Sequence, residues 1–143
     1  MRILPIILLA IWIFSACSLQ NNKSKDEIEI EAVADSFTTN YYSWHFKDAA
    51  TFSNDDFKRQ LLFLSSNISK ADIEVLKSSS KNPEFSIDNI NISEGEATVK
   101  LQLRNIFVLD SIGALPHLEE EATHALLLKK ENGKWKVNNV RVK

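Results

Sequence analysis

The hydrophobic period of this chain changes once, at Pro83, and that change limits the folds open to it. Ahead of Pro83 apolar residues recur three and four apart, and beyond it they recur every second residue. The first spacing lines one face of a helix, the second one face of a strand. Helices first and strands afterwards, without alternation of the two, predict an α+β architecture: N-terminal helices packed on a strongly bent antiparallel sheet.

The first helix is predicted over residues 26–45. Ile30, Val33, Phe37, Tyr41 and Trp44 make one apolar stripe, aromatic toward its end. A break is expected at Lys47-Asp48. Ser53-Asn54-Asp55-Asp56 reads as the next helix start, with Ser53 as the cap and Asp56 in the capping-box position. Phe57, Leu61 and Leu64 then share a face. Ser69-Lys70-Ala71-Asp72 repeats the cap signal for a third, short helix carrying Ile73, Val75 and Leu76.

In the second half Phe85 and Ile87 alternate, and Ile90 and Ile92 are apolar in the opposite phase. That shift predicts a bulge near Asp88-Asn89. Ser93-Glu94-Gly95-Glu96 reads as a hairpin turn, followed by the clearest half-buried strand, with Ala97, Val99, Leu101 and Leu103 on one face. Residues 105–121 are less regular: Ile106-Phe107-Val108-Leu109 offers a continuation of the strand, and a long, partly ordered connection is expected. Strand pattern returns over 121–130, where His124-Ala125-Leu126-Leu127-Leu128 predicts a central strand covered on both faces. Asn132-Gly133 is a type I′ hairpin signal. The last strand sets Trp135 and Val137 on one face and Val140 and Val142 on the other, which predicts a bulge at Asn138-Asn139.

At the other end, Phe14-Ser15-Ala16-Cys17 resembles a bacterial lipobox, with Phe14 where Leu is usual. Met1, Arg2 and an apolar run from Ile3 to Phe14 precede it, the parts of a secretory signal. The run is shorter than the roughly 20 apolar residues a membrane-crossing helix needs. The resemblance implies that residues 1–16 are a signal peptide and that Cys17 receives a diacylglycerol. Cys17 then becomes the new N-terminus and is usually acylated again, palmitate-style. Two or more lipid chains anchor stably where one does not. Residues 17–26 would be the lipidated cysteine and a flexible tether, and residues 27–143 one α+β domain. Ser18 resembles an outer-membrane sorting signal, since the inner-membrane retention residue is typically Asp. The expected location is the cell envelope, at the outer membrane, on its periplasmic or surface face.

Composition agrees with that division. Cys17 is the single cysteine of the chain, so no disulfide supports the body and the thiol is free for lipid. The formal net charge of −2 becomes one unit more negative once Arg2 is removed, which leaves no basic footprint for nucleic acid. With three glycines and three prolines in 143 residues, the body is not composed like a disordered chain.

The aromatic segment Tyr41-Tyr42-Ser43-Trp44, the helical stretch 52–76 and the ending Leu126-Leu127-Leu128-Lys129-Lys130-Glu131-Asn132-Gly133-Lys134-Trp135-Lys136-Val137 resemble the nuclear transport factor 2-like superfamily. The resemblance covers about residues 27–143 and implies a cone, in which a bent sheet curls around a long first helix. A cystatin-like helix-and-sheet fold is the near alternative. The resemblance also implies a sheet face open to dimerisation.

Enzymes of that superfamily set an acid or histidine inside the cone, with a donor for the oxyanion formed on proton abstraction. No such motif matches here residue by residue. His124 shares a face with Leu126 and Leu128, and is the candidate for a base or a ligand-orienting group; a packed core histidine is the plainer alternative. Tyr41, Tyr42 and Trp44 are candidates for a pocket mouth, or simply for core. His45 and His117 lack partners at metal-ligand spacing, so no metal and no cofactor is expected. Glu119-Glu120-Glu121 reads as a solvated run. Asp110-Ser111-Ile112 resembles a short bacterial acceptor pattern for O-glycosylation at Ser111.

Three functions follow as expectations. The first is a non-enzymatic envelope lipoprotein, held by the lipid on Cys17, that binds a partner protein or small ligand through its cone pocket or sheet face. The second is a small-molecule isomerase or cyclase using His124. The third is a structural or assembly factor.

Overall fold

The computed structural model describes residues 22–143. The lipobox, Cys17 and the start of the tether lie outside the described residues. Four helices come first: α1 (Lys25–Tyr42), α2 (Phe46–Ala50), α3 (Asp55–Ser66) and α4 (Lys70–Ser78). Four strands follow: β1 (Glu84–Ser93), β2 (Glu96–Val108), β3 (His117–Glu131) and β4 (Lys134–Val142). They form one antiparallel, curved sheet in the order β1-β2-β3-β4.

Helix α1 starts where Ser24 accepts a hydrogen bond from the Glu27 amide at 3.1 Å, with Asp26 and Glu27 against the positive end of the helix dipole. Its buried face is Ile30, Ala34, Phe37, Thr38 and Tyr42. The predicted stripe is thus rotated: Val33 and Tyr41 are half-buried at its flank, and Tyr42 takes the core position. The helix also stops short of residue 45. Trp44 adopts φ 61°, its amide donates to the Tyr41 carbonyl and the His45 amide to that of Asn40. That pair of bonds is a Schellman ending, with tryptophan where glycine is usual.

The expected break at Lys47-Asp48 is instead α2, a single buried turn with Phe46, Ala49 and Ala50 inside. It packs between α1 and α3. Helix α3 is capped one residue later than predicted. Asn54, not Ser53, accepts from the Phe57 amide at 3.1 Å, while the Ser53 hydroxyl donates to the Ala49 carbonyl. Helix α4 has the predicted capping box in full: the Asp72 amide donates to the Ser69 hydroxyl, and Asp72 accepts from the Ser69 amide at 2.8 Å.

Both hairpin turns carry two successive positive φ angles, at Glu94-Gly95 and Asn132-Gly133, as type I′ turns require. The register shifts between Ile87 and Asn89, so the predicted first bulge is present. The second bulge is also present: Asn139 pairs with Leu127 and Val137 with Leu128, leaving Asn138 extra. Its consequence differs from the expectation. The inserted residue restores the phase, so Val140 and Val142 pair with Leu126 and His124, on the face that carries Val137.

The connection between β2 and β3 is shorter than expected. Strand β2 runs on to Val108, and β3 begins at His117. Within β2 the buried rhythm 97, 99, 101, 103 skips to Ile106, past Asn105 at φ 54°. Strand β3 is central; His124, Leu126 and Leu128 are buried on its concave face, and on the outer face Ala125 is also buried and Leu127 half-buried. On the outer face Ala125 is flanked by Lys100 and Arg141, and Leu127 by Thr98 and Asn139. The core lies between α1 and the concave face, around Phe37, Val99, Leu101, Leu126, Leu128 and Val137.

Candidate functional site

Two elements converge at the end of α1. The Tyr42 hydroxyl lies 2.6 Å from Nδ1 of His124, and both residues are buried. The opposite ring nitrogen, Nε2, is buried without a partner. His124 reaches this place because its strand register sets it beside Leu101 on β2 and Val142 on β4, on the concave face. Tyr42 reaches it because it lies four residues after Thr38 on the buried face of α1.

Burial pushes the His124 imidazole below its ordinary pKa, with Glu119 opposing the shift through its charge. Burial pushes the Tyr42 phenol upward, with Tyr41 and Glu119 adding to it. Both groups are therefore neutral at neutral pH. One proton assignment leaves fewer orphans. If the phenol donates to Nδ1, the ring proton sits on Nε2 and a single N–H lacks an acceptor. If Nδ1 donated instead, the phenol hydrogen and the Nε2 lone pair would both be stranded. The arrangement therefore places the ring proton on Nε2.

This pair borders a cavity of about 150 Å³, lined by Tyr41, Tyr42, Trp44, Phe46, Leu64, Phe107, Val108, Leu109, His124, Val140 and Val142. Its aromatic wall is built by the turn after α1. Trp44 is held in the left-handed region, which costs a non-glycine residue roughly 1–2 kcal/mol. Its indole lies 5.7 Å from the Phe46 ring and donates to the Phe107 carbonyl at 3.3 Å, so the turn delivers the ring to the cavity wall. A wider, open groove of about 600 Å³ adjoins it between α3 and β4, and Tyr41, Leu64 and Val140 belong to both linings. The groove is the larger hollow, but the buried titratable pair belongs to the smaller.

Tyr41, Tyr42, Trp44 and His124, all singled out in the sequence, thus meet in one cavity. The bond between Tyr42 and His124 was not foreseen. No carboxylate is hydrogen-bonded to His124; Glu119 acts on it through its field. His117 lies 3.5 Å from both Asp110 and Glu119, one at each ring nitrogen, which is not a shared metal geometry. Among the described residues no group of three or more His, Cys, Asp or Glu could hold a metal ion. Glu120 pairs with Lys81 at 3.3 Å at the surface, and Ser111 is exposed in the connection after β2.

Helices that close one face of a curved four-stranded antiparallel sheet, with a hollow at the end of the first long helix, define a nuclear transport factor 2-like cone. The chain is similar to a ketosteroid isomerase-like protein from Erwinia carotovora atroseptica, at 14% identity and a TM-score of 0.57, over 82% of this chain and 95% of that one. It is also similar to an NTF2-like protein of unknown function from Methylobacillus flagellatus, at 19% identity and a TM-score of 0.54, over 83% and 92% of the two chains. A protein of unknown function with a cystatin-like fold from Nostoc punctiforme aligns at 15% identity and a TM-score of 0.50, over 84% and 91%. At these identities the likeness is one of fold. No protein-family model matches the chain, and no curated protein matches it.

Proposed function

We propose that this chain is a lipid-anchored envelope protein that binds a small apolar ligand at the end of its cone without transforming it. One observation carries the binding reading: an aromatic cavity of about 150 Å³ with one unpartnered buried polar atom, opening beside a larger groove. Small-molecule sites are typically apolar hollows with a few placed polar groups. Native mass spectrometry of the chain taken from its own envelope tests it. A co-purifying small molecule, displaced when Val140→Trp fills the shared wall, is the expected result; an empty chain together with no thermal shift across a library of apolar compounds would remove the reading.

The isomerase or cyclase alternative has a specific observation in its favour, since burial keeps His124 neutral and so able to act as a base. The geometry leans the other way. A base needs a free lone pair in the cavity, whereas the Tyr42 bond leaves Nε2 protonated.

The anchor rests on the lipobox at residues 14–17. Mass spectrometry of the mature N-terminus should find acylated Cys17, and Cys17→Ala should leave an unprocessed chain. Ser18→Asp should move the protein from the outer to the inner membrane in fractionated cells. A glycan on Ser111, lost in Ser111→Ala, belongs to the same set of proposals, as does a second copy of the chain bound at the outer sheet face.

A further inference from the structure

The sheet ends in two edge strands that differ in their cover. At β4, Val137 is bridged by the segment 52–54. At β1, among the described residues, no backbone bond from outside the sheet reaches the outer edge. We propose that this edge pairs with the same edge of a second copy, β1 against β1 in the antiparallel sense, which joins two four-stranded sheets into one. The contact needs no ligand and leaves the outer sheet face free.

Register supports the pairing. Ser93 and Glu96 flank a two-residue type I′ turn, so they exchange both hydrogen bonds. Counting back along the ladder, Ser93, Asn91, Ser86 and Glu84 direct their backbone groups to β2, whereas Ile92, Ile90, Ile87 and Phe85 direct theirs outward. The bulge makes the step from Ile87 to Ile90 three residues instead of two. A regular strand laid on this edge matches Phe85 and Ile87, or Ile90 and Ile92, and loses phase for the other two. A strand with the same long step, run in reverse, matches all four. Strand β1 turned about a two-fold axis is such a strand. Phe85 then meets Ile92 of the second copy and Ile87 meets Ile90, each pair recurring across the axis as an isologous contact requires.

Side chains agree with that register. Phe85, Ile87 and Ile90 are half-buried on the concave face and Ile92 is 37% exposed, so pairing covers them with one another. Ile92 of the second copy falls beside Phe85, next to a hollow of about 70 Å³ whose lining includes Thr38, Tyr42 and Pro83. On the outer face Ser86 meets Asn91, Glu84 meets Ser93 and Asp88 meets Asn89, so no like charges stand opposite. Asp88 is also held by Lys100 of its own chain at 3.2 Å. Lysine and proline, which commonly guard an edge, are absent from β1. Chains free in solution lose translational and rotational freedom on association, and four residue pairs offset little of that loss. Copies tethered at Cys17 in one membrane have lost much of it beforehand, a step that rests on the anchor proposed above. The two-fold axis runs perpendicular to the sheet, so both Ser24 ends lie at one height and can reach the same membrane.

Cysteine pairs test the register. Ser86 and Asn91 of the two copies would lie opposite as a non-hydrogen-bonded pair, with Cα atoms roughly 4.5 Å apart and so within disulfide reach. Equal positions of the two copies would be about five residues out of step, roughly 16 Å apart. The full-length chain carrying both Ser86→Cys and Asn91→Cys, oxidised in its own membranes, should give a covalent dimer. Either substitution alone should give no more than wild type, whose Cys17 sets the background, and co-expression of the two single variants should restore the dimer. Molar salt should leave the yield unchanged, since backbone bonds and apolar pairs are not screened. Ile92→Lys, at an exposed position, removes two apolar pairs of the dimer and should lower the yield about tenfold with the urea midpoint kept. Single variants that cross-link as well as the double overturn the register. The double variant extracted in detergent and concentrated to millimolar separates the ladder from the tether. A dimer there but not in the membrane overturns the part played by the anchor and leaves the ladder standing. A dimer in neither overturns the ladder.

Discussion

Removing the Tyr42 hydroxyl would leave Nδ1 of His124 buried without its donor. Tyr42→Phe should therefore cost about 1–3 kcal/mol in chemical denaturation, although it deletes one oxygen atom. The same pair sets a pH dependence. The folded pKa of His124 lies below the ordinary 6.5 of the unfolded chain, because burial disfavours the imidazolium. Below that value the unfolded state takes up a proton that the folded state refuses, so stability is full above pH ~6.5 and declines as pH falls toward the folded pKa. Urea midpoints measured between neutral and mildly acidic pH should show this fall, and His124→Phe should flatten it. At this scale the sequence was half legible. A lone histidine in the run Ala125-Leu126-Leu127-Leu128 stands out against its neighbours. Its partner does not, because the contact spans 82 positions and Tyr42 lies beside the apolar stripe, where Tyr41 looks the better core residue.

Among the elements, the bulge in β4 and the start of α3 hold one another. Asn54 caps α3 through Oδ1 and donates from Nδ2 to Asn138 Oδ1 at 2.7 Å, at the inserted residue of the bulge. The backbone joins as well: the Asn54 amide donates to the Val137 carbonyl, and the Val137 amide to that of Phe52, both at 2.9 Å. This short bridge covers part of the free edge of β4. Asn54→Ala should cost about 2 kcal/mol, since it removes a cap and leaves the half-buried Asn138 without its donor. Ser69→Ala, which removes the capping oxygen of the outlying α4, should cost about 1 kcal/mol. Paired denaturation curves check the order. Strands, turns and bulges were readable because a period of two makes any phase slip visible. Helix α2 was not, since five residues are too few to show a helical period. The continuation of β2 through Ile106-Phe107-Val108 was open to reading although the positive φ at Asn105 breaks the alternation, whereas the start of β3 at His117 was not read.

At the scale of the whole molecule, the outer sheet face is polar and of mixed sign, with Lys100, Arg104, Glu121 and Arg141 on it and Asp88 paired to Lys100. A homodimer formed there would depend on charge pairing across exposed groups and be screened by salt. Sedimentation should find such a dimer at low ionic strength and monomer at high; monomer throughout would end the proposal. The cone itself was legible because the order of helical and strand periods leaves few alternatives, while the size of the end cavity depends on a ring turned by one backbone angle at Trp44.

The start of α1 is fastened to the β3-β4 hairpin. Asp26 accepts from the Trp135 indole at 2.9 Å and from Lys130 at 2.8 Å, and Glu29 accepts from the Trp135 amide at 3.2 Å. These bonds hold the Asp26 carboxyl below its usual range. Tyr42 lies at the far end of the same helix, roughly 25 Å away at 1.5 Å per residue. Tension on the chain ahead of Ser24 therefore enters the domain through the hairpin, where three bonds share it. The cavity lies at the other end of α1, away from that load.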